Sequence, residues 1–296
     1  MYRRTAVTVA RRPDSSSRAG LLTHTLGVMA PGFTVNLELV GKRALVCGGS
    51  AGIGLACAQA LAAHGAHVTL VSRDLTRLAE AVATLPTDLG QRHGYMAADL
   101  GVYEGLEERV RQLSETEGAF HIVVHNTGGP PSGSMLDASP EQLYAGFTSL
   151  LVAAHCVTRA LVPGMKAAGY GRVIMISSTS VKQPIPNLGL SNALRAAVSN
   201  WGKSLSQELG QYGITVNSVL PGFVDTQRLG AILTAKAAKT GKTLEAVRAE
   251  AIAEIPAGRI GLPAEIAALV TFLAAPAGAY VNGTQIPVDG GRLKCL

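Results

Sequence analysis

From about residue 42 the chain alternates short, nearly continuous apolar runs with longer stretches in which apolar residues recur at helical spacing. The runs are "RALVCG" (43–48), "HVTLVS" (67–72), "RHGYMAA" (92–98), "HIVVHN" (121–126), "RVIMIS" (172–177), "ITVNSVL" (214–220) and "TQIPVDG" (284–290). A strand with one wet face alternates apolar and polar residues. These runs do not, which predicts strands covered on both faces. Helical spacing fills 53–64, 75–84, 140–165 and 187–210 between them. Repeated strand–helix units of this length predict an α/β fold: a single doubly wound Rossmann-type parallel sheet of about seven strands with right-handed crossovers. The most apolar tract, "IAALVTFLAAPAGAYV", is interrupted by Pro276 and reads as a buried helix followed by a turn.

Residues 227–256 break this rhythm. They form a helical pair hinged at Gly241, with no strand before it. Their place after the sixth strand puts them at the carboxyl ends of the strands, where such sheets bind ligands. The pair therefore reads as a helical lid over a substrate; the plainer alternative is an exposed helical insertion.

Composition narrows the class. Of 296 residues, 47% are hydrophobic and 16% charged, as in a globular enzyme-like chain, and no apolar run has the roughly 18 residues of a membrane span. The net charge of +6 is concentrated at one end. Residues 1–28 hold five arginines against Asp14 alone, a net of +4, which leaves +2 for the rest. Nucleic acid is therefore not an expected partner. The basic segment reads as a disordered tail over 1–37, preceding one domain over 38–296; the alternatives are a targeting segment or a natural start at Met29. No secretory leader pattern is evident, and Cys47, Cys57, Cys156 and Cys295 form no CxxC pair. Free thiols in a reducing cytoplasm fit them better than disulfides or a metal site.

Candidate chemistry begins at "CGGSAGIG", where Gly48, Gly52 and Gly54 lie between the first strand and the first helix. Glycines there permit a tight turn, close approach of a pyrophosphate to the backbone, and close helix–strand packing. The second strand ends in Ser72 and Arg73, where an NAD site carries an acid for the ribose 2′-hydroxyl. A guanidinium pairs a 2′-phosphate in bidentate fashion, so NADP is favoured over NAD. The alternative is an ordinary surface arginine.

The glycine spacing and the later motifs resemble the short-chain dehydrogenase/reductase family over about residues 38–292. "CGGSAGIG" is similar to its Thr-Gly-x-x-x-Gly-x-Gly, with Cys47 in place of threonine and Ser50 and Ile53 inside the turn. "AADL" stands where the family places an adenine-contacting aspartate, giving Asp99 and Leu100. "VHNTGG" matches Asn-Asn-Ala-Gly at Asn126 and Gly128 but departs at His125 and Thr127. "LPGFVDT" supplies Pro221, Gly222 and Thr226, the last at the position that meets the nicotinamide amide. The resemblance implies a nicotinamide-dependent oxidoreductase acting on a small molecule, in the cytoplasm, as a homodimer or homotetramer through helices 140–165 and 187–210. The segments "NTGGPP" and "SVKQPIPNLGLSN" resemble β-ketoacyl-carrier-protein-reductase-like members.

The catalytic set implied by the resemblance is not intact. Family members use Asn, Ser, Tyr and Lys. Here Ser178 keeps the serine position, while Ser191 stands for the tyrosine, Arg195 for the lysine and Leu150 for the asparagine. An aliphatic hydroxyl is a far weaker acid than a phenol of ordinary pKa near 10, so Ser191 does not replace it as a proton donor. Arg195 keeps a positive charge but relays protons poorly. Lys182 is a candidate ammonium donor, or else a solvated loop lysine. His125 and His155 read as structural, the first hydrogen-bonded between strands and the second packed in its helix. Three functions stay open: an NADPH-dependent ketone reductase for a small or polyketide-like substrate with non-standard proton delivery; a nucleotide-binding regulatory or structural protein without turnover; and a non-redox cyclase or isomerase.

Overall fold

The computed structural model describes residues 35–295. The expected tail at 1–37 and the start at Met29 lie outside the described residues, apart from positions 35–37.

Seven parallel strands form one sheet: β1 (Arg43–Cys47), β2 (His67–Ser72), β3 (Gly94–Ala97), β4 (Ile122–His125), β5 (Gly171–Ile176), β6 (Ile214–Pro221) and β7 (Gln285–Val288), in the order β3-β2-β1-β4-β5-β6-β7. The central strands are buried along nearly their whole length, as their unbroken apolar runs predict. On one face, α1 (Gly52–Ala63) and α9 (Pro263–Ala274) bury Cys57, Leu61, Ile266, Val270 and Leu273 against Val46, Val124 and Ile174. On the other, α3 (Leu106–Glu117), α5 (Ala153–Ala168) and α6 (Gly189–Leu209) bury Val110, Val157, Leu161 and Leu194 against Leu45, Val123 and Val173. The short α2 (Leu75–Ala83) follows β2, capped by the Asp74 carboxylate accepting from the Arg77 N–H. Alternate residues of one strand thus feed two separate cores.

The expected strand at 92–98 is shorter than its apolar run. Before Gly94, imidazoles take over the ladder: the Val68 N–H donates to His93 Nδ1 at 3.1 Å and the Arg92 N–H to His67 Nδ1 at 2.9 Å. The expected helix over 140–165 is present as one continuous helical run, Pro140–Ala168, with a π-helical turn inside it. In α4 (Pro140–Phe147) the Ser139 hydroxyl and the Gln142 side chain form a reciprocal cap. A π-helical turn at Thr148–Val152 then joins it to α5. The run 150–154 is apolar throughout, so a widened turn leaves no break in its hydrophobic phase. Residues 140–168 form a run long and apolar enough to span a bilayer, yet Leu150, Ala153, Val157, Leu161 and Met165 are buried in the core.

The helical pair at the carboxyl ends is present as α7 (Gln227–Thr240) and α8 (Leu244–Ala253). Gly241 ends α7 in the left-handed conformation, φ 67°, which a residue with a Cβ adopts only at a cost. The pair has its own small core of Leu229, Leu233, Val247, Ala251, Ile255 and Ile260.

Candidate active site

Strand order reverses between β1 and β4, so their carboxyl ends diverge and leave a crevice. Gly48 leaves β1 at φ 61° with its N–H on Val71 O at 2.7 Å. The Asn126 amide, just past β4, donates to Gly48 O at 3.1 Å. A Cβ on Gly48 would overlap the Asn126 backbone, and one on Gly54 would overlap the Gly48 carbonyl. The turn is therefore as tight as the backbone allows. Ser50, Gly52 and Ile53 complete it, and a Cβ on Gly52 would lie 3.4 Å from Thr226 across the crevice. Helix α1 has Ala51 at its N-cap, with no side-chain cap and no acid in its first turn. Its first N–H groups are left for an anion, and this cradle fits a dinucleotide pyrophosphate.

The remaining predicted binding residues surround that crevice. Ser72 ends β2, and its carbonyl accepts from the Ala98 N–H at 2.8 Å. Arg73 is 77% exposed, and its guanidinium is 4.0 Å from the Asp99 carboxylate. So open an ion pair is worth at most about 1 kcal/mol, and a 2′-phosphate can displace it. Asp99 also accepts from the Gly101 N–H at 2.8 Å, while Leu100 lines a cavity between β4 and α5. Nothing approaches the Cβ position of Gly128. Pro221 ends β6, and a Cβ on Gly222 would lie 2.7 Å from Asp289. The Thr226 hydroxyl caps α7 by accepting from the Leu229 N–H at 3.3 Å.

Toward β5 the site is made of side chains. Ser178 follows the strand, and its Oγ accepts from the Ser180 N–H at 3.1 Å. That bond orients the hydroxyl and leaves its own hydrogen to donate. Ser191 and Arg195 lie one turn apart on α6 and meet: Arg195 Nε donates to Ser191 Oγ at 3.3 Å. Arg195 Nη1 donates to the carbonyls of Ile176 and Ser177, at 2.9 and 2.8 Å. The guanidinium thus ties α6 to the end of β5. Burial, and after it the charge of Arg228, pulls the Arg195 pKa down to about 10, which leaves it protonated at neutral pH. Leu150 is buried in the π-helical turn. It lines a cavity of about 20 Å³ with Thr127, His125 and Arg195, a volume on the scale of one water molecule.

The structure does not bring every candidate into this group. The Lys182 ammonium makes no hydrogen bond or ion pair among the described residues, and Lys182 enters the network only through its backbone. His125 is a correction. Its Nε2 pairs with Thr158 Oγ1 of α5 at 2.9 Å rather than bridging strands, because β4 turns this side chain toward the helix layer. Burial pushes its pKa down to about 4. His155 is exposed and, like His125, meets Trp201 edge-on. Cys47 and Cys57 are buried and raised to about 12, whereas Cys295 is exposed.

One residue was not singled out by the sequence reading. Arg228, two positions past Thr226, donates from Nη1 to Gly129 O at 3.1 Å. A cation in the first turn of a helix that lacks an acid there is the signal that would have marked it.

A glycine cradle at the switch point of a doubly wound sheet, beside a hydroxyl poised at a strand end, defines a nucleotide-dependent oxidoreductase. A family model described as enoyl-(acyl carrier protein) reductase matches residues 48–292. The chain is 34% identical over 258 residues to 2,3-dihydroxy-2,3-dihydro-p-cumate dehydrogenase of Pseudomonas putida, covering 86% of this chain and 95% of that protein. It is 33% identical to a 3-oxoacyl-[acyl-carrier-protein] reductase of Vibrio cholerae, covering 86% and 98%. The crystal structure of L-sorbose reductase from Gluconobacter frateurii, complexed with NADPH and L-sorbose, superposes with a TM-score of 0.83 at 31% identity, covering 88% of this chain and all of that one. The chain belongs to the short-chain dehydrogenase/reductase family.

Proposed function

We propose that the protein is an NADPH-dependent reductase acting on the ketone of a small or polyketide-like substrate, with proton delivery that does not use a phenol. The observation that carries this reading is the intact backbone cradle with Arg73, and no acid, directly after Ser72 at the end of β2. Relatives complexed with NADPH or NADP support the cofactor. The nicotinamide would supply hydride. Gly48, Gly52 and Gly54 would hold the pyrophosphate, Arg73 the 2′-phosphate, Asp99 the adenine, and Asn126 and Thr226 the nicotinamide side.

Ser178 is the group for the substrate carbonyl, because its hydroxyl hydrogen is free to donate as charge develops on oxygen. Ser191 and Arg195 fix the neighbouring wall at the end of β5, and the proton comes from water, from the substrate itself, or from Lys182. The α7–α8 pair serves as a lid. Exposed Leu143, Tyr144 and Phe147 on α4 support assembly as a homodimer or homotetramer, and we place the protein in the cytoplasm on the family resemblance alone.

The test is calorimetric titration with NADPH, followed by loss of NADPH absorbance across a panel of ketones. Oxidation with at least one ketone is expected. NADPH binding with no oxidation by any of them would favour the second reading, a nucleotide-binding protein without turnover, which the missing phenol at Ser191 supports.

A further inference from the structure

Arg195 and Arg228 approach Gly129 from different elements, α6 and the first turn of α7. A Cβ on Gly129 would overlap Nη2 of Arg228 and lie 3.3 Å from Nη2 of Arg195. A guanidinium has five N–H donors. Arg195 uses Nε and Nη1, on Ser191 and on the Ile176 and Ser177 carbonyls. Arg228 uses Nη1, on Gly129 O. Both Nη2 groups are without an acceptor among the described residues, and they lie beside the same loop.

Nothing among the described residues neutralises this pair. Neither arginine has a carboxylate within 4.0 Å among the described residues; Asp225, next to the start of α7, is instead paired with Arg248 at 3.7 Å. The Arg195 guanidinium is partly withdrawn from water while Arg228 is exposed, and the charge of Arg228 further destabilises the protonated form of Arg195. Arg228 also sits at the positive end of the α7 dipole, with no acid in that turn. Two like charges held together at a helix N-terminus are unfavourable until an anion joins them.

We propose that Arg195 and Arg228 form the receptor for a carboxylate on the substrate, bound beside Gly129. This rests on the reductase reading and narrows it to oxo-carboxylates. The Ser177 carbonyl that holds Arg195 belongs to the residue just before Ser178, so the receptor and the carbonyl-binding hydroxyl share the carboxyl end of β5. The two free Nη2 groups, one from each guanidinium, can each donate to one oxygen of a planar carboxylate.

The test uses 2-oxo and 3-oxo carboxylates of increasing chain length, each paired with its methyl ester, titrated by calorimetry into the protein saturated with oxidised NADP. At least one acid should bind about 10- to 100-fold more tightly than its ester. Arg228→Met should abolish that preference while changing NADPH affinity by less than about threefold, and Arg228→Lys should restore part of it. Circular dichroism checks that the variants fold. Equal binding of acids and esters, or no binding by any acid, overturns the proposal. So does a parallel loss of NADPH affinity in Arg228→Met, which would assign the pair to the cofactor's pyrophosphate. Absence of NADPH oxidation with both acids and esters is a separate outcome; it speaks against the reductase reading while the binding data still decide on the receptor.

Discussion

The two halves of the crevice are built from different materials. On the β1–α1–β2 side, recognition is made by backbone: glycines that admit no Cβ and a helix start with unused N–H groups. On the β5–α6 side, it is made by side chains, and there Ser191, Arg195 and Leu150 replace three of the four groups that the family resemblance implies. A backbone cradle depends on chain geometry and survives so long as the turn does. A side-chain site can be rebuilt one residue at a time on an unchanged fold. Here the rebuilt half is ordered: Arg195 is held by three hydrogen bonds, and the loop carrying Pro184 and Pro186 is pinned by Asn192 to both the N–H and the carbonyl of Ile185.

The sharpest way to break this contrast is at Ser178. If it is the carbonyl donor, Ser178→Ala should lower turnover about 100- to 1,000-fold and leave calorimetric NADPH affinity nearly unchanged. A loss confined to NADPH affinity would place Ser178 in the cofactor half instead. Gly54→Ala tests the other side. Its Cβ would overlap the Gly48 carbonyl and lie 2.6 Å from the Asn126 amide, so NADPH affinity should fall about 10- to 100-fold through backbone displacement. Unchanged affinity would show that the cradle tolerates a side chain after all.

His125 lies beneath the crevice and gives a prediction in pH. Its pKa is about 4 in the fold and about 6.5 in the unfolded chain. Its contribution is complete above the unfolded value and is lost as pH falls from about 6.5 to about 4, because only the unfolded chain takes up the proton in that window. The loss is roughly 3 kcal/mol at most. Urea unfolding at several pH values should show a shallower acid slope for His125→Asn than for the parent, and identical slopes would remove burial as the cause. The smallest effect belongs to Ser191→Ala, which should lower turnover only a few-fold, through loosening of Arg195. Ser191→Tyr combined with Arg195→Lys should not raise activity, because Leu150 still stands where the relay asparagine would be. A collapse of turnover in Ser191→Ala, with Ser178→Ala still active, would reverse the assigned roles.

What the sequence made legible follows the same divide. The strand runs, the glycine turn and the α7–α8 hinge are written in local pattern, since each depends on residues close together in the chain. The π-helical turn at Thr148–Val152 was hidden because apolar residues continue across it. The partner of His125 was misjudged because Thr158 is 33 positions away and only packing brings α5 over β4. Arg228 went unnoticed for a related reason: its significance lies in Arg195 and Gly129, on two other elements. Long-range side-chain meetings have no local signature.

The completeness of the cofactor half is tested most directly by calorimetric titration of NADPH and NADH against the parent chain and Arg73→Ala. NADPH should bind the parent about tenfold or more tightly than NADH, as expected for a charge-assisted pair to the 2′-phosphate. Arg73→Ala should erase that difference and leave NADH affinity almost unchanged. Equal affinities in the parent, or an equal loss for both nucleotides in the variant, would contradict the assignment of Arg73.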